Sequence, residues 1–178
     1  MVAHNNSHAR RIDGAAPARI VSGVVIVGSP LMFTILLVTL LLLTVTSLIH
    51  YECLSGLNAH LPALKMPSRT KLLVVIFTTF IAHVAEMVVY GVAIFMLASS
   101  GIGGGLRGSD ASSLLDCIYF SAETYTSLGF GDVSPFGALR LLVAAEALNG
   151  LLLIGWSASY AYIAMERYWV PTRTNRAP

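Results

Sequence analysis

Charge is scarce in this sequence: of 178 residues only 11% are Asp, Glu, Lys or Arg, against about a quarter in an ordinary soluble domain. With 56% of the chain hydrophobic, too few polar side chains remain to cover a water-soluble fold, so part of the chain must meet lipid. The 11 basic and 9 acidic residues are spread along the chain. No basic block is present to neutralise a row of phosphates, which argues against nucleic acid as a partner. The two cysteines, Cys53 and Cys117, fall near opposite faces of the expected membrane topology, so no intrachain disulfide is expected. His4, His8, His50, His60 and His83 show no metal-ligand spacing among themselves or with the cysteines, and no metal or organic cofactor is expected. No nucleophile with an adjacent base and no cofactor motif occurs, so no enzyme activity is expected. No apolar run carries arginine at every third position, as a voltage sensor would.

Long apolar runs are what the sequence has in abundance. Residues 31–49 carry no charge, residues 72–98 are apolar apart from His83 and Glu86, and residues 141–165 are interrupted by Glu146 and Asn149. Each suits the roughly 17–25 residues of a bilayer-crossing helix, and none alternates with the period of a barrel strand. Arg10, Arg11 and Arg19 precede the first run, but it exceeds a signal-peptide core and lacks a cleavage site, so it reads as an anchor. Between the second and third runs, residues 99–113 are glycine-rich. Gly103, Gly105 and Gly108 match a G-x-G-x-x-G spacing without the strand and helix that a dinucleotide site needs, so a flexible extramembrane loop is expected. Residues 114–125 are apolar again but too short to cross, which suits a re-entrant half-helix, with Asp110, Ser112 and Ser113 as N-cap candidates.

The segment after that half-helix is the most specific feature. Ser127-Leu128-Gly129-Phe130-Gly131-Asp132 resembles the Thr-x-Gly-Tyr/Phe-Gly-Asp pore signature of the pore-loop potassium channel superfamily, in its two-helix-pore branch, with serine in place of threonine. The resemblance covers residues 114–169; the first apolar run lies outside it. A dehydrated potassium ion needs successive rings of carbonyl oxygens. Aiming successive carbonyls at one axis requires left-handed backbone at alternate positions, which is the reason for Gly129 and Gly131. The resemblance implies a homotetramer in which Ser127, Leu128, Gly129 and Phe130 bind permeant K+, Gly131 completes the filter, and Glu123, Thr126 and Asp132 support it. It also implies that the Glu123 and Asp132 carboxylates meet behind the filter and share a proton, the alternative being a Glu123 that points to water. An aromatic cuff of two indoles in a related channel is Tyr119 and Phe120 here, and the filter tyrosine is Phe130. The outer filter is therefore expected to be held mainly by packing, which favours looser selectivity or faster inactivation.

The expected fold is an all-α membrane protein with three transmembrane helices, a pore half-helix and a selectivity-filter loop in a tetrameric pore. The expected segments are a flexible N-terminus (1–29), helix 1 (30–50), a cytoplasmic loop (51–71), helix 2 (72–99), the outer loop with half-helix and filter (100–136), helix 3 (137–168) and a cytoplasmic tail (169–178). Lys65, Arg69, Lys71, Arg167, Arg173 and Arg176 on one side nearly balance Arg10, Arg11, Arg19, Arg107 and Arg140 on the other, so charge does not set the orientation. A pore loop facing outward implies an outer N-terminus and a cytoplasmic C-terminus in a cell membrane. Tyr160, Tyr162, Tyr168 and Trp169 beside Arg167 form an interfacial belt.

Intramembrane ionisable residues are gating candidates. His83 and Glu86, three apart on one helical face, are either a structural pair or a titrating site. Glu146 either bonds half-helix hydroxyls such as Thr124 or Thr126, or faces the cavity. Gly150 and Gly155 are either a hinge or a close-packing face. With about ten residues after Tyr168, the gating stimulus is expected at the filter, the lipid, a proton or a partner. Two rivals to potassium-selective conduction remain at this point, a weakly selective Na+/K+ pore and a non-conducting regulatory subunit.

Overall fold

The computed structural model describes residues 30–108 and 113–169. The N-terminal segment 1–29, Asp110, Ser112 and the tail beyond residue 169 lie outside the described residues. Three long helices, α1 (Pro30–His60), α2 (Ser68–Ser100) and α4 (Leu139–Trp169), are each long and apolar enough to cross a membrane. A shorter helix α3 (Leu114–Tyr125) lies between α2 and α4, and strands β1 (Gly104–Arg107) and β2 (Ser134–Gly137) flank it. The protein is an all-α, multi-pass membrane protein with one small two-stranded ribbon.

Each long helix buries one stripe within the chain and leaves the rest exposed. On α1 the buried positions Met32, Ile35, Thr39, Leu42, Thr46, His50, Leu54 and Leu57 recur every three or four residues, while Phe33, Leu37, Leu40 and Leu41 are exposed. Thr39, Thr46 and His50 stand in that inward stripe among apolar residues, while the outward face is apolar, unlike that of a soluble helix. The expected loop from residue 51 is corrected: α1 continues through His60, because Leu54 and Leu57 extend the buried stripe and no proline intervenes before Pro62. His60 Nδ1 donates back to the Gly56 carbonyl at 2.9 Å, holding the side chain against the last turn. Where α2 begins, the Lys71 ammonium lies 5.1 Å from the Tyr168 ring centroid, tying that end of α2 to the end of α4 at the belt expected there.

Helix α3 starts at a complete capping box. Ser113 Oγ accepts from the Asp116 amide at 3.1 Å while the Asp116 carboxylate accepts from the Ser113 amide at 2.9 Å. Ser113→Ala is expected to cost about 1 kcal/mol in thermal unfolding, and Ser113→Asp, which keeps an acceptor, clearly less.

The glycine-rich loop is also corrected in part. Its residues 104–107 pair antiparallel with residues 134–137, Gly104 opposite Gly137 and Arg107 opposite Ser134. Arg107 stacks over the Phe136 ring at 4.6 Å, and the Gly103 carbonyl accepts the Leu139 amide at 3.0 Å. The ribbon thus ties together the two ends of the segment that carries α3 and the loop after it.

Candidate pore and its supporting network

Helix α3 turns into the 127–131 loop through its own last carbonyls. The Glu123 carbonyl accepts the amides of Leu128 at 2.8 Å and Gly129 at 3.3 Å, and the Thr124 carbonyl accepts that of Ser127 at 2.9 Å. The Thr126 hydroxyl donates to the Ala122 carbonyl at 2.7 Å. Beyond the turn, Ser127, Gly129 and Gly131 have φ of +57°, +54° and +84°, alternating with Leu128 and Phe130 on the ordinary side. A backbone that alternates between the two hands sends its carbonyls to one side and its amides to the other. The left-handed backbone expected at Gly129 and Gly131 is present, and Ser127 shares it, which composition gave no reason to expect. Leu128 and Phe130 are 59% and 67% exposed, so nothing within one chain covers them.

The two carboxylates beside the loop do not meet. Among the described residues no hydrogen bond joins Glu123 to Asp132; the Tyr119 hydroxyl stands between them. It donates to Asp132 Oδ2 at 3.4 Å, and the neighbouring Glu123 and Asp132 carboxylates push its pKa up to about 12. Glu123 is buried, with its Oε1 lacking a hydrogen-bond partner. A phenol on α3 thus adds one polar contact at the outer filter to the packing expected there. Tyr119→Phe is expected to preserve folding, because the site is exposed, and to speed the decay of current during sustained recording.

Glu146 is fully buried and accepts from Ser121 Oγ at 2.5 Å. Its partner is thus a half-helix hydroxyl, but neither Thr124 nor Thr126, and it does not face open space. Ser121 also donates to the Met87 carbonyl at 2.8 Å, so one hydroxyl links α3 to both α2 and α4.

His83 and Glu86 do bond each other, at 3.3 Å, within a larger network that local sequence could not show. Glu86, fully buried, accepts from the Tyr125 hydroxyl, and its Oε1 lies 2.9 Å from His50 Nδ1. His83 Nδ1 lies 2.9 Å from the same Tyr125 hydroxyl. Ser157 Oγ lies 3.0 Å from His83 Nε2 and 3.1 Å from His50 Nε2. One turn along, the Asn149 amide donates to Thr46 Oγ1 at 2.8 Å and to the Tyr90 hydroxyl at 3.2 Å. Buried polar groups in lipid are costly unless paired, so these contacts fix how α1, α2, α3 and α4 pack. His50, Tyr125, Ser157 and Asn149 escaped sequence reasoning because their partners lie on other helices.

Gly150 packs against Tyr125. A Cβ added there would lie 2.1 Å from the Tyr125 carbonyl oxygen, whereas one at Gly155 would meet nothing within 4 Å. Close packing accounts for Gly150; only Gly155 is free of such a constraint.

A family model described as "Ion channel" matches residues 71–167, more than half of the chain. The chain belongs to the ion channel family. It is similar to the inward rectifier potassium channel Kirbac3.1 of Paramagnetospirillum magnetotacticum, 32% identical over 97 residues that are 54% of this chain and 33% of the relative. Two-pore potassium channel 1 of Arabidopsis thaliana is 37% identical over 57 residues, 32% of this chain and 16% of the relative. Protein LctB of Geobacillus stearothermophilus is 44% identical over 46 residues, 26% of this chain and 34% of the relative. The matched regions span about a third or less of these relatives. No solved structure matches the chain. The matched residues hold nearly all of α2, the ribbon, α3, the filter-like loop and nearly all of α4, while α1 lies outside them.

Proposed function

We propose that the protein is a passive, potassium-selective channel in which four copies each give residues 127–131 to one axis. The observation that carries this reading is the alternation of positive φ at Ser127, Gly129 and Gly131 in a loop seated on the end of a half-helix. Four such loops stack rings of carbonyl oxygens that replace the hydration shell of K+. Two potassium channels among the relatives support the choice of ion. The exposed Leu128 and Phe130 then pack against neighbouring copies. The pore loop faces outward in a cell membrane, with the C-terminus in the cytoplasm.

The reading is tested on purified full-length protein. Native mass measurement is expected to give four chains, and planar bilayers with K+ on one side and Na+ on the other are expected to reverse near the potassium equilibrium potential, with block by barium. Reversal near zero contradicts potassium selectivity and favours the weakly selective pore, for which Ser127 and Phe130 are the departures from the family pattern.

A further inference from the structure

The supporting network holds a set of metal-binding groups that conduction does not use. His50 on α1 and His83 and Glu86 on α2 each present one ligand atom, and the three lie within 4.8 Å of one another. The two imidazoles lie side by side, centroids 5.0 Å apart and tilted by 35°. Their Nδ1 edges face opposite oxygens of one carboxylate, at 2.9 Å and 3.3 Å, and their Nε2 edges both face Ser157 Oγ.

We propose that His50, His83 and Glu86 bind a transition-metal ion of the zinc class, with Ser157 orienting both imidazoles. Ligands about 2.0–2.1 Å from a tetrahedral ion stand about 3.4 Å apart, close to the spacings between the carboxylate and each ring. A serine oxygen has two lone pairs and can accept from both Nε2–H groups; in that tautomer both Nδ1 lone pairs face the Glu86 carboxylate, and the three groups present themselves as ligands to one point. An N–H on the far side of each ring, held by an oxygen, is how metal-binding histidines are commonly fixed in tautomer and orientation. Two imidazoles and one carboxylate favour zinc, cobalt or nickel over magnesium, calcium or the permeant alkali ions, which prefer oxygen alone. The fourth position is left to water. An ion here joins α1 to α2, and through Ser157 and Tyr125 it bears on α4 and the end of α3 just before the filter. The site does not depend on the conduction reading.

The test loads the metal-free full-length assembly in detergent with Co2+ and then titrates Zn2+. One Co2+ per chain is expected, with the visible absorption of a four-coordinate site, unaffected by excess K+ or Mg2+ and displaced by Zn2+, which also raises the melting temperature. His50→Gln and His83→Gln are expected to abolish binding. Ser157→Ala, which keeps all three ligands and exchanges a hydroxyl for a hydrogen, is expected to weaken it about 10–100-fold in a fully assembled protein. An assembled wild type that takes up no Co2+ overturns the proposal. So does uptake that persists undiminished in His50→Gln or in His83→Gln, which would place the ion at other histidines such as His4, His8 or His60, while undiminished uptake in Ser157→Ala overturns the orienting role of Ser157.

Discussion

Replacing Gly150 with alanine is expected to eliminate conduction and to destabilise the protein, while Gly155→Ala leaves stability intact. The added methyl of Gly150→Ala would lie 2.1 Å from the Tyr125 carbonyl oxygen, 2.9 Å from its carbon and 3.0 Å from the ring. Two of those neighbours are backbone, which cannot rotate aside, so α4 must move away from the end of α3. Overpacking of this kind costs about 1–3 kcal/mol. The functional loss exceeds the stability loss because Tyr125 stands two residues before Ser127, and displacing it moves the base of the filter. Gly155 meets nothing within 4 Å, and an alanine there gains up to about 1 kcal/mol of helix propensity. If α4 bends at Gly155, that variant alters open probability without altering the conductance of the open channel. Thermal unfolding and single-channel recording on both variants check the pair, and equal behaviour of the two contradicts the packing role of Gly150.

The second large effect is expected at Glu86. Glu86→Ala removes the acceptor shared by His50, His83 and Tyr125 and leaves their donors buried among helices that lipid surrounds. Breaking a buried network of this kind costs about 3–5 kcal/mol, enough to prevent recovery of assembled protein at ordinary temperature. Glu86→Gln keeps one acceptor and the shape and is expected to cost less than half as much. Leu41→Ala on the lipid face, where the side chain is 60% exposed, serves as the mild control. Unfolding is measured in the presence of a chelator, so that the loss reads hydrogen bonds alone. A Glu86→Ala protein as stable as the Leu41→Ala control contradicts the network.

What was legible in the sequence and what was not divides along a physical line. The spans are written in long apolar runs, and the filter-like loop is written in glycines whose backbone positions few other residues adopt. The N-cap of α3 is similarly local, and Ser113 is one of the three candidates named for it. The extension of α1 to His60 is missed when polar residues such as Tyr51, Glu52 and Asn58 are read as a loop, since the stripe of Leu54 and Leu57 continues beneath them. The ribbon escapes because two four-residue strands rich in glycine have no alternation to detect. The network of His50, His83, Glu86, Tyr125 and Ser157 escapes for a different reason: it is an agreement among four helices, and spacing along one helix reveals only the His83–Glu86 member. Tyr119 reads as a packing residue because its type differs from the family's, although its hydroxyl reaches Asp132.

The central claim is that residues 127–131 are the ion path, and Gly129 tests it most directly. A methyl at Gly129 meets nothing within 4 Å in one chain, and the residue sits at φ +54°, so Gly129→Ala acts chiefly through the backbone hand that the carbonyl alignment needs. The measurement is barium-sensitive K+ efflux from liposomes holding equal amounts of assembled wild type and Gly129→Ala protein. The account predicts efflux from the wild type and at least a hundredfold less from the variant at the same assembly state. Efflux that survives the substitution contradicts it and places the ion path elsewhere.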